Sequence, residues 1–66
     1  MPKPMTRAQQ DYIEKLSDKH DLEETDLDDM AEEITGFPGA HWRELNIGDA
    51  SKLIDAILEE HGGFDS

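Results

Sequence analysis

The densest group of chemically active side chains in this 66-residue sequence is a run of carboxylates at positions 23–33. Its members are Glu23, Glu24, Asp26, Asp28, Asp29, Glu32 and Glu33. On a helix these residues lie opposite the apolar stripe that runs from Leu27 to Ile34. The run therefore predicts an acidic outer face, to which the last helix adds Asp49, Asp55, Glu59 and Glu60.

Three interpretations of this acidic face stay open at this point. It is a solvated surface, as in proteins adapted to high salt, or a docking surface for a basic protein, or a mimic of the charge on DNA. For the docking interpretation the candidate partner-binding acids are Asp28, Asp29, Glu32 and Glu33. Mimicry requires carboxylates spaced like phosphates, and a sequence does not give that spacing.

The same acids do not form a recognisable metal site. The stretch ETDLDDMAEE lacks the alternating ligands, central glycine and terminal glutamate of a calcium-binding EF-hand loop. His20, His41 and His61 are scattered, and the chain has no cysteine to complete a zinc site. We predict no metal and no cofactor, and we expect His20 and His61 to lie at helix C-termini, where a protonated imidazole favours the helix dipole.

No residue pattern in the chain indicates catalysis. Ser17, Ser51 and Ser66 lack the glycine-framed elbow of a nucleophilic serine. A nucleophile, base and orienting acid cannot be assembled from the pattern, and a unit of this size has little room for a substrate pocket. The sequence predicts a protein that is not an enzyme.

The single tryptophan, Trp42, lies beside Arg43 in an irregular segment and allows two interpretations. In the first, Trp42 closes a core that three short helices cannot close alone. In the second, Trp42 is partly exposed and forms a partner-binding patch with Arg43, since aromatic residues and arginine are common at interfaces. Replacing Trp42 with alanine separates the two interpretations.

The charge of the whole chain limits its partners. Seventeen acidic residues against six basic ones give a formal net charge of −11. Because nucleic-acid affinity comes largely from Lys and Arg that neutralise phosphates, this charge argues against direct nucleic-acid binding. A protein partner with a basic surface fits better, and the like charges should repel one another in a way that salt relieves.

Three helices are needed to position these side chains, and helical periodicity predicts all three. The first covers 7–19 and starts at a capping box of Thr6 and Gln9. The third covers 47–61, where Asn46 is the cap, and carries an apolar stripe about 140° wide that makes it the central helix. The fold class is therefore all-α, a small three-helix domain.

The second helix is predicted at 26–35, with a cap formed by Thr25 and Asp28 and a left-handed end at Gly36. Leu22 should anchor the loop before it. The connection 37–46 is irregular, with a type II turn at Pro38-Gly39 and one helical turn that points Trp42 and Leu45 inward. This segment is the irregular Pro/Gly/Trp loop of the fold.

Length and composition set the remaining expectations. We expect a flexible or extended tail at 1–5, one domain at 6–62 and a C-terminal tail at 63–66, in which Phe64 folds back onto the last helix. The chain contains no apolar run long enough for a membrane span, and its N-terminus lacks the apolar core of a signal peptide. A cytoplasmic protein is expected, and the sequence does not predict its oligomeric state.

The signature positions of the first and last helices resemble those of a family of very small bacterial proteins whose domain has no assigned function. The shared pattern is Pro-Met-Thr, Ala-Gln, an aromatic-aliphatic pair, Leu-Ser and later Ala-Ser with Ile-Asp. Here the pattern falls on Pro4, Met5, Thr6, Ala8, Gln9, Tyr12, Ile13, Leu16, Ser17, Ala50, Ser51, Ile54 and Asp55. A looser version resembles the C-terminal helical module of some phage single-strand annealing proteins and Mu-type phage regulators.

This resemblance implies a three-helix unit used for interaction. Its positions are mainly core and capping residues, so no catalytic residue is implied. The chain departs from the smaller family by carrying the acidic helix 26–35 and the loop that contains Trp42. The sequence as a whole predicts a non-enzymatic protein-interaction module, related through the resemblance to phage or mobile elements. The alternatives are an accessory factor that mimics DNA and a small halophile protein.

Overall fold

A computed structural model describes residues 3–63 of the chain, and its elements are three α-helices and one short 3₁₀-helix. Helix α1 spans Arg7–Lys19, α2 spans Glu24–Thr35, the 3₁₀-helix η1 spans Trp42–Glu44, and α3 spans Ile47–His61. The all-α three-helix prediction is confirmed. The expected backfolding of Phe64 lies outside the described residues.

Helix α1 begins at the predicted capping box. The backbone N–H of Gln9 donates to Thr6 Oγ1 at 3.1 Å, and the backbone N–H of Thr6 donates to Gln9 Oε1, also at 3.1 Å. The same Gln9 side chain donates through Nε2 to the carbonyl oxygen of Ile47 at 3.2 Å. One amide therefore satisfies the start of α1 and fixes it to the first turn of α3.

Helix α2 begins two residues earlier than the sequence analysis predicts, and its cap is different. The chain turns after α1 at Asp21, whose φ of 56° is left-handed. The N–H of Leu22 donates to the Ser17 carbonyl at 2.7 Å, and that of Asp21 to the Asp18 carbonyl at 3.3 Å. This is the Schellman arrangement, which normally has glycine at the left-handed position.

Because that turn is so tight, α2 starts at Glu24, and the predicted cap of Thr25 with Asp28 is wrong. The backbone N–H of Glu23 donates to Asp26 Oδ2 at 3.0 Å instead. Asp28 is thereby free for a contact outside its own helix. The predicted end of the helix is confirmed, since Gly36 has a φ of 75° and its N–H donates to the Glu32 carbonyl.

Helix α3 is the central element, because it packs against both α1 and α2. Its start is the predicted one: the N–H of Asp49 donates to Asn46 Oδ1 at 2.8 Å. The core that these helices enclose contains one large aromatic residue and eight aliphatic ones. They are Ile13, Leu16, Leu27, Ala31, Trp42, Leu45, Ala50, Leu53 and Ile57.

The segment 37–45 covers the open end of the helices. Gly39 has a φ of 81° and the N–H of Ala40 donates to the Phe37 carbonyl at 3.3 Å, as the predicted type II turn requires. One 3₁₀ turn then buries both Trp42 and Leu45, which are 1% and 4% exposed. The predicted inward helical turn is confirmed.

Residues 3–5 are extended, which is one of the two conformations expected for the tail 1–5, and hydrogen bonds join them to the folded unit. The N–H of Met5 donates to the Leu45 carbonyl at 3.1 Å, and the N–H of Ile47 donates to the Lys3 carbonyl at 3.0 Å. An isolated antiparallel bridge joins Pro4 and Asn46. The bridge satisfies an N–H at the start of α3 that no intrahelical acceptor can reach.

Candidate protein-interaction surface

The four candidate acids of α2 divide into two pairs with different surroundings. Asp28 and Glu32 are half-buried and face the segment 37–45, whereas Asp29 and Glu33 are exposed. Each pair has helical i,i+4 spacing, so its two members lie on one face of the helix. The path of the loop decides which pair has contacts within the molecule and which pair has none among the described residues.

Asp28 and Glu32 hold the loop through its backbone. The N–H of Trp42 donates to Asp28 Oδ1 at 3.1 Å, and the N–H of Gly39 donates to Glu32 Oε1 at 2.6 Å. Hydrogen bonds to a charged acceptor are stronger than neutral ones. Both carboxylates therefore stabilise the fold, and one oxygen of each is used within the molecule.

His41 adds a second bond at the start of η1. The N–H of Arg43 donates to His41 Nδ1 at 3.3 Å, which requires a neutral ring that carries its proton on Nε2. Nδ1 also lies 3.5 Å from Asp28 Oδ1. A protonated His41 would donate to Asp28 and lose the bond from Arg43, so the two contacts are alternatives.

Asp28 therefore gives a prediction about stability. Asp28→Ala should lower the free energy of unfolding by about 1–2 kcal/mol, because the half-buried N–H of Trp42 loses its acceptor. Asp29→Ala, its exposed neighbour, should change stability by less than about 0.5 kcal/mol. Urea denaturation followed by circular dichroism measures both values. Equal losses for the two variants would contradict the assignment of Asp28 to the loop.

The outer pair, Asp29 and Glu33, has none of these constraints. Neither carboxylate takes part in a hydrogen bond or an ion pair within the described range 3–63. An exposed carboxylate without a partner keeps its full charge for another molecule. Of the four acids predicted from the sequence, this pair is the one without an intramolecular contact in the described residues.

The structure buries Trp42, so the partly exposed interpretation of this residue is wrong. Its side chain is 1% exposed, and its Nε1–H is a buried donor with no hydrogen-bond partner among residues 3–63. The guanidinium carbon of Arg43 lies 4.8 Å from the centre of the Trp42 ring. Trp42 belongs to the core, and its contribution to a partner surface is limited to holding Arg43.

Arg43 is itself engaged within the molecule. Its Nη2 lies 3.0 Å from Glu14 Oε1 of α1 and 3.3 Å from Glu24 Oε1 of α2. The side chain thus joins both helices across the outer side of Trp42. Because these pairs are exposed, each contributes less than about 1 kcal/mol. As a predicted partner-binding residue, Arg43 is occupied by intramolecular contacts.

The remaining histidines meet at the end of α3. His20 Nε2 lies 2.8 Å from the carbonyl oxygen of Gly62, and the rings of His20 and His61 stack with their centres 5.5 Å apart. His20, the residue after α1, therefore contacts the carbonyl oxygen of Gly62, the residue after α3, and no helical N–H can reach that oxygen. Within residues 3–63, no group of three or more His, Asp or Glu side chains is arranged to hold a metal ion.

Two open grooves and a polar depression mark the surface around these residues. A groove of about 240 Å³ between α2 and α3 is lined by Met30, Glu33, Ile34, Ala56 and Glu60. A groove of about 280 Å³ between α1 and α3 is lined by Ala8, Gln9, Tyr12 and Ile54. The depression, about 320 Å³, lies beside the loop next to Phe37, which is 71% exposed.

The fold and the surface together define a small, acidic, all-α domain. Among the described residues, none of its helices is both long enough and apolar enough to cross a membrane. No protein-family model, no curated protein and no solved structure matches the chain. The resemblance to small bacterial and phage helical modules therefore stays a prediction.

Proposed function

We propose that this protein is a non-catalytic protein-interaction module that binds a partner with a basic surface. The observation that carries the proposal is the exposed pair Asp29 and Glu33 on the outer face of α2, which has no ion pair with any residue that the structure describes. The neighbouring acids Asp28 and Glu32 are used to hold the loop, so the outer pair is not needed for that purpose.

The overall charge supports the same class of partner. A net charge of −11 repels nucleic acid and attracts cationic protein surfaces, and it speeds their encounter at low salt. Arg43 is paired with Glu14 and Glu24 and makes no ion pair with Asp29 or Glu33. A basic protein supplies the missing charge.

The proposal is tested by titrating the ¹⁵N-labelled full chain with a histone as the basic probe and separately with duplex and single-stranded DNA. At physiological salt the histone should shift the amide signals of Asp29 and Glu33, and DNA should shift none. Shifts caused by DNA alone would contradict the proposal, because they would show that the acidic charge does not exclude nucleic acid.

Matched variants show whether the effect belongs to this face or to charge in general. Asp29→Asn with Glu33→Gln should weaken histone binding about fivefold, since two exposed pairs worth about 0.5 kcal/mol each come to about 1 kcal/mol. The control, Asp11→Asn with Asp18→Asn, removes the same charge from exposed positions of α1. Equal weakening by both double variants would contradict a specific role for α2.

A further inference from the structure

The groove between α2 and α3 has an apolar floor with an acid on each wall. Met30 and Ile34 of α2 face Ala56 of α3, while Glu33 comes from one helix and Glu60 from the other. Met30 and Ile34 are half-buried, with part of each side chain packed on the core and part exposed to the groove. The floor is left open because Ala56 is too small to cover its neighbours.

The negative charges of Glu33 and Glu60 limit the kind of segment that can bind in the groove. Glu33 has no hydrogen bond or ion pair in the described part of the chain, and Glu60 has one contact there, 3.8 Å from Oε2 to His61 Nε2. No Lys or Arg lines the groove, and the closest cation on α3, Lys52, lies one turn before Ala56 outside the lining. Apolar side chains flanked by cations complement this groove in both shape and charge.

The α1–α3 groove and the depression beside the loop have linings that differ from that of the α2–α3 groove. The groove between α1 and α3 has no charged residue in its lining, so nothing there distinguishes one apolar occupant from another. The depression beside the loop also carries two acids, Glu44 and Asp49, but the polar side chains of Thr35, His41 and Asn46 interrupt its apolar lining. Among these three surfaces, the α2–α3 groove has an apolar floor that lies between one acid of each of two helices.

We propose that the α2–α3 groove binds an amphipathic basic helix of the partner protein. Apolar residues of that helix at i and i+3 or i+4 would cover Met30, Ile34 and Ala56, and flanking Lys or Arg side chains would pair with Glu33 and Glu60. The inference rests on the proposed function, because it names the partner segment that the acidic module recognises.

The probe for this site is a helical peptide of leucine and lysine, about 18 residues long so that an isolated helix is stable, with its leucines on one face. A peptide of the same composition with the leucines scattered is the control. The first peptide should shift the amides of Met30, Ile34 and Ala56, and the scattered peptide should bind at least about tenfold more weakly. Equal affinity of the two peptides would overturn the proposal.

Two pairs of variants locate the site. Ala56→Gln places a long polar side chain on the floor and should weaken the helical peptide about tenfold, whereas Ser51→Gln, exposed on the same helix, should not. Glu33→Gln should weaken it more than Glu59→Gln, an equal loss of charge outside the lining. Equal effects within either pair would place the peptide elsewhere.

The two proposals fail in different ways. If histone binding still depends on Asp29 while Ala56→Gln leaves the peptide unaffected, the groove is not the site, but the acidic module remains supported. If neither the histone nor the peptide shifts any amide signal, the proposed function fails as well. Circular dichroism of Ala56→Gln confirms that the variant is folded before its affinity is interpreted.

Discussion

Trp42→Ala is expected to leave the domain largely unfolded at room temperature. Removing a buried tryptophan costs about 3–5 kcal/mol, because the transfer energy is lost and a cavity remains. A single core in a chain of this size supplies stability of about the same amount. The substitution therefore removes most or all of the free energy that keeps the chain folded.

The position of Trp42 explains why the loss should be so large. Its side chain is 1% exposed, and it belongs to the same core cluster as Leu27 and Ala31 of α2. It also carries the guanidinium of Arg43, which pairs with Glu14 and Glu24 on two helices. Without the indole ring, the 3₁₀ turn loses its anchor and the charged bridge loses its support.

Two further variants make this prediction specific. Phe37→Ala changes the other aromatic residue of the loop, which is 71% exposed, and should shift stability by less than about 0.5 kcal/mol. Trp42→Phe keeps an aromatic ring and removes the unpartnered Nε1–H, so it should cost much less than Trp42→Ala. Urea denaturation followed by far-ultraviolet circular dichroism gives all three values. A folded Trp42→Ala protein that has only lost a partner would contradict the core assignment.

The first and third helices, α1 and α3, were predictable because both their caps and their periodicity are local signals. Thr6 with Gln9 and Asn46 with Asp49 satisfy the first N–H groups from within a few residues, so a sequence window contains the whole cap. The start of α2 was not predictable in this way. Its position depends on a left-handed Asp21, and Asp is far less common there than the glycine that marks such turns.

The sequence was sufficient to predict that the candidate site is an acidic face. It was not sufficient to predict which of the four acids contact the loop and which stay exposed. Asp28 and Glu32 differ from Asp29 and Glu33 only by one position in the helix, and each pair repeats at i,i+4. The difference arises from the loop, whose N–H groups at Gly39 and Trp42 reach across to α2. The available signal in the sequence was a loop with several backbone N–H groups that have no local acceptor. That signal does not indicate which acids accept these hydrogen bonds.

The second large effect expected is a rise in melting temperature with salt. The formal net charge of −11 is confined to a molecule whose radius of gyration is 11.0 Å. The screening length is about 10 Å at 0.1 M salt and about 3 Å at 1 M, so added salt removes repulsion between charges on opposite sides of the molecule. Relief of about 1–2 kcal/mol would raise the melting temperature by roughly 5–15 °C.

A charge-reduced variant separates this effect from the general influence of salt on apolar burial. Asp29→Asn, Glu33→Gln and Glu59→Gln together remove three exposed charges without breaking a hydrogen bond. The triple variant should melt at a higher temperature than the natural chain in low salt and respond less to sodium chloride. Identical salt responses of the two proteins would show that repulsion is not the cause.

The shape of the salt response also separates the two explanations of the acidic surface. Screening is nearly complete by about 1 M, so the melting temperature of an ordinary acidic interaction module should level off there. Adaptation to high salt predicts a rise that continues well into the molar range, and a flat response counts against both explanations. We expect the levelling form, because Asp28 and Glu32 already use their charge to hold the loop and Asp29 with Glu33 leaves a localised surplus for a partner.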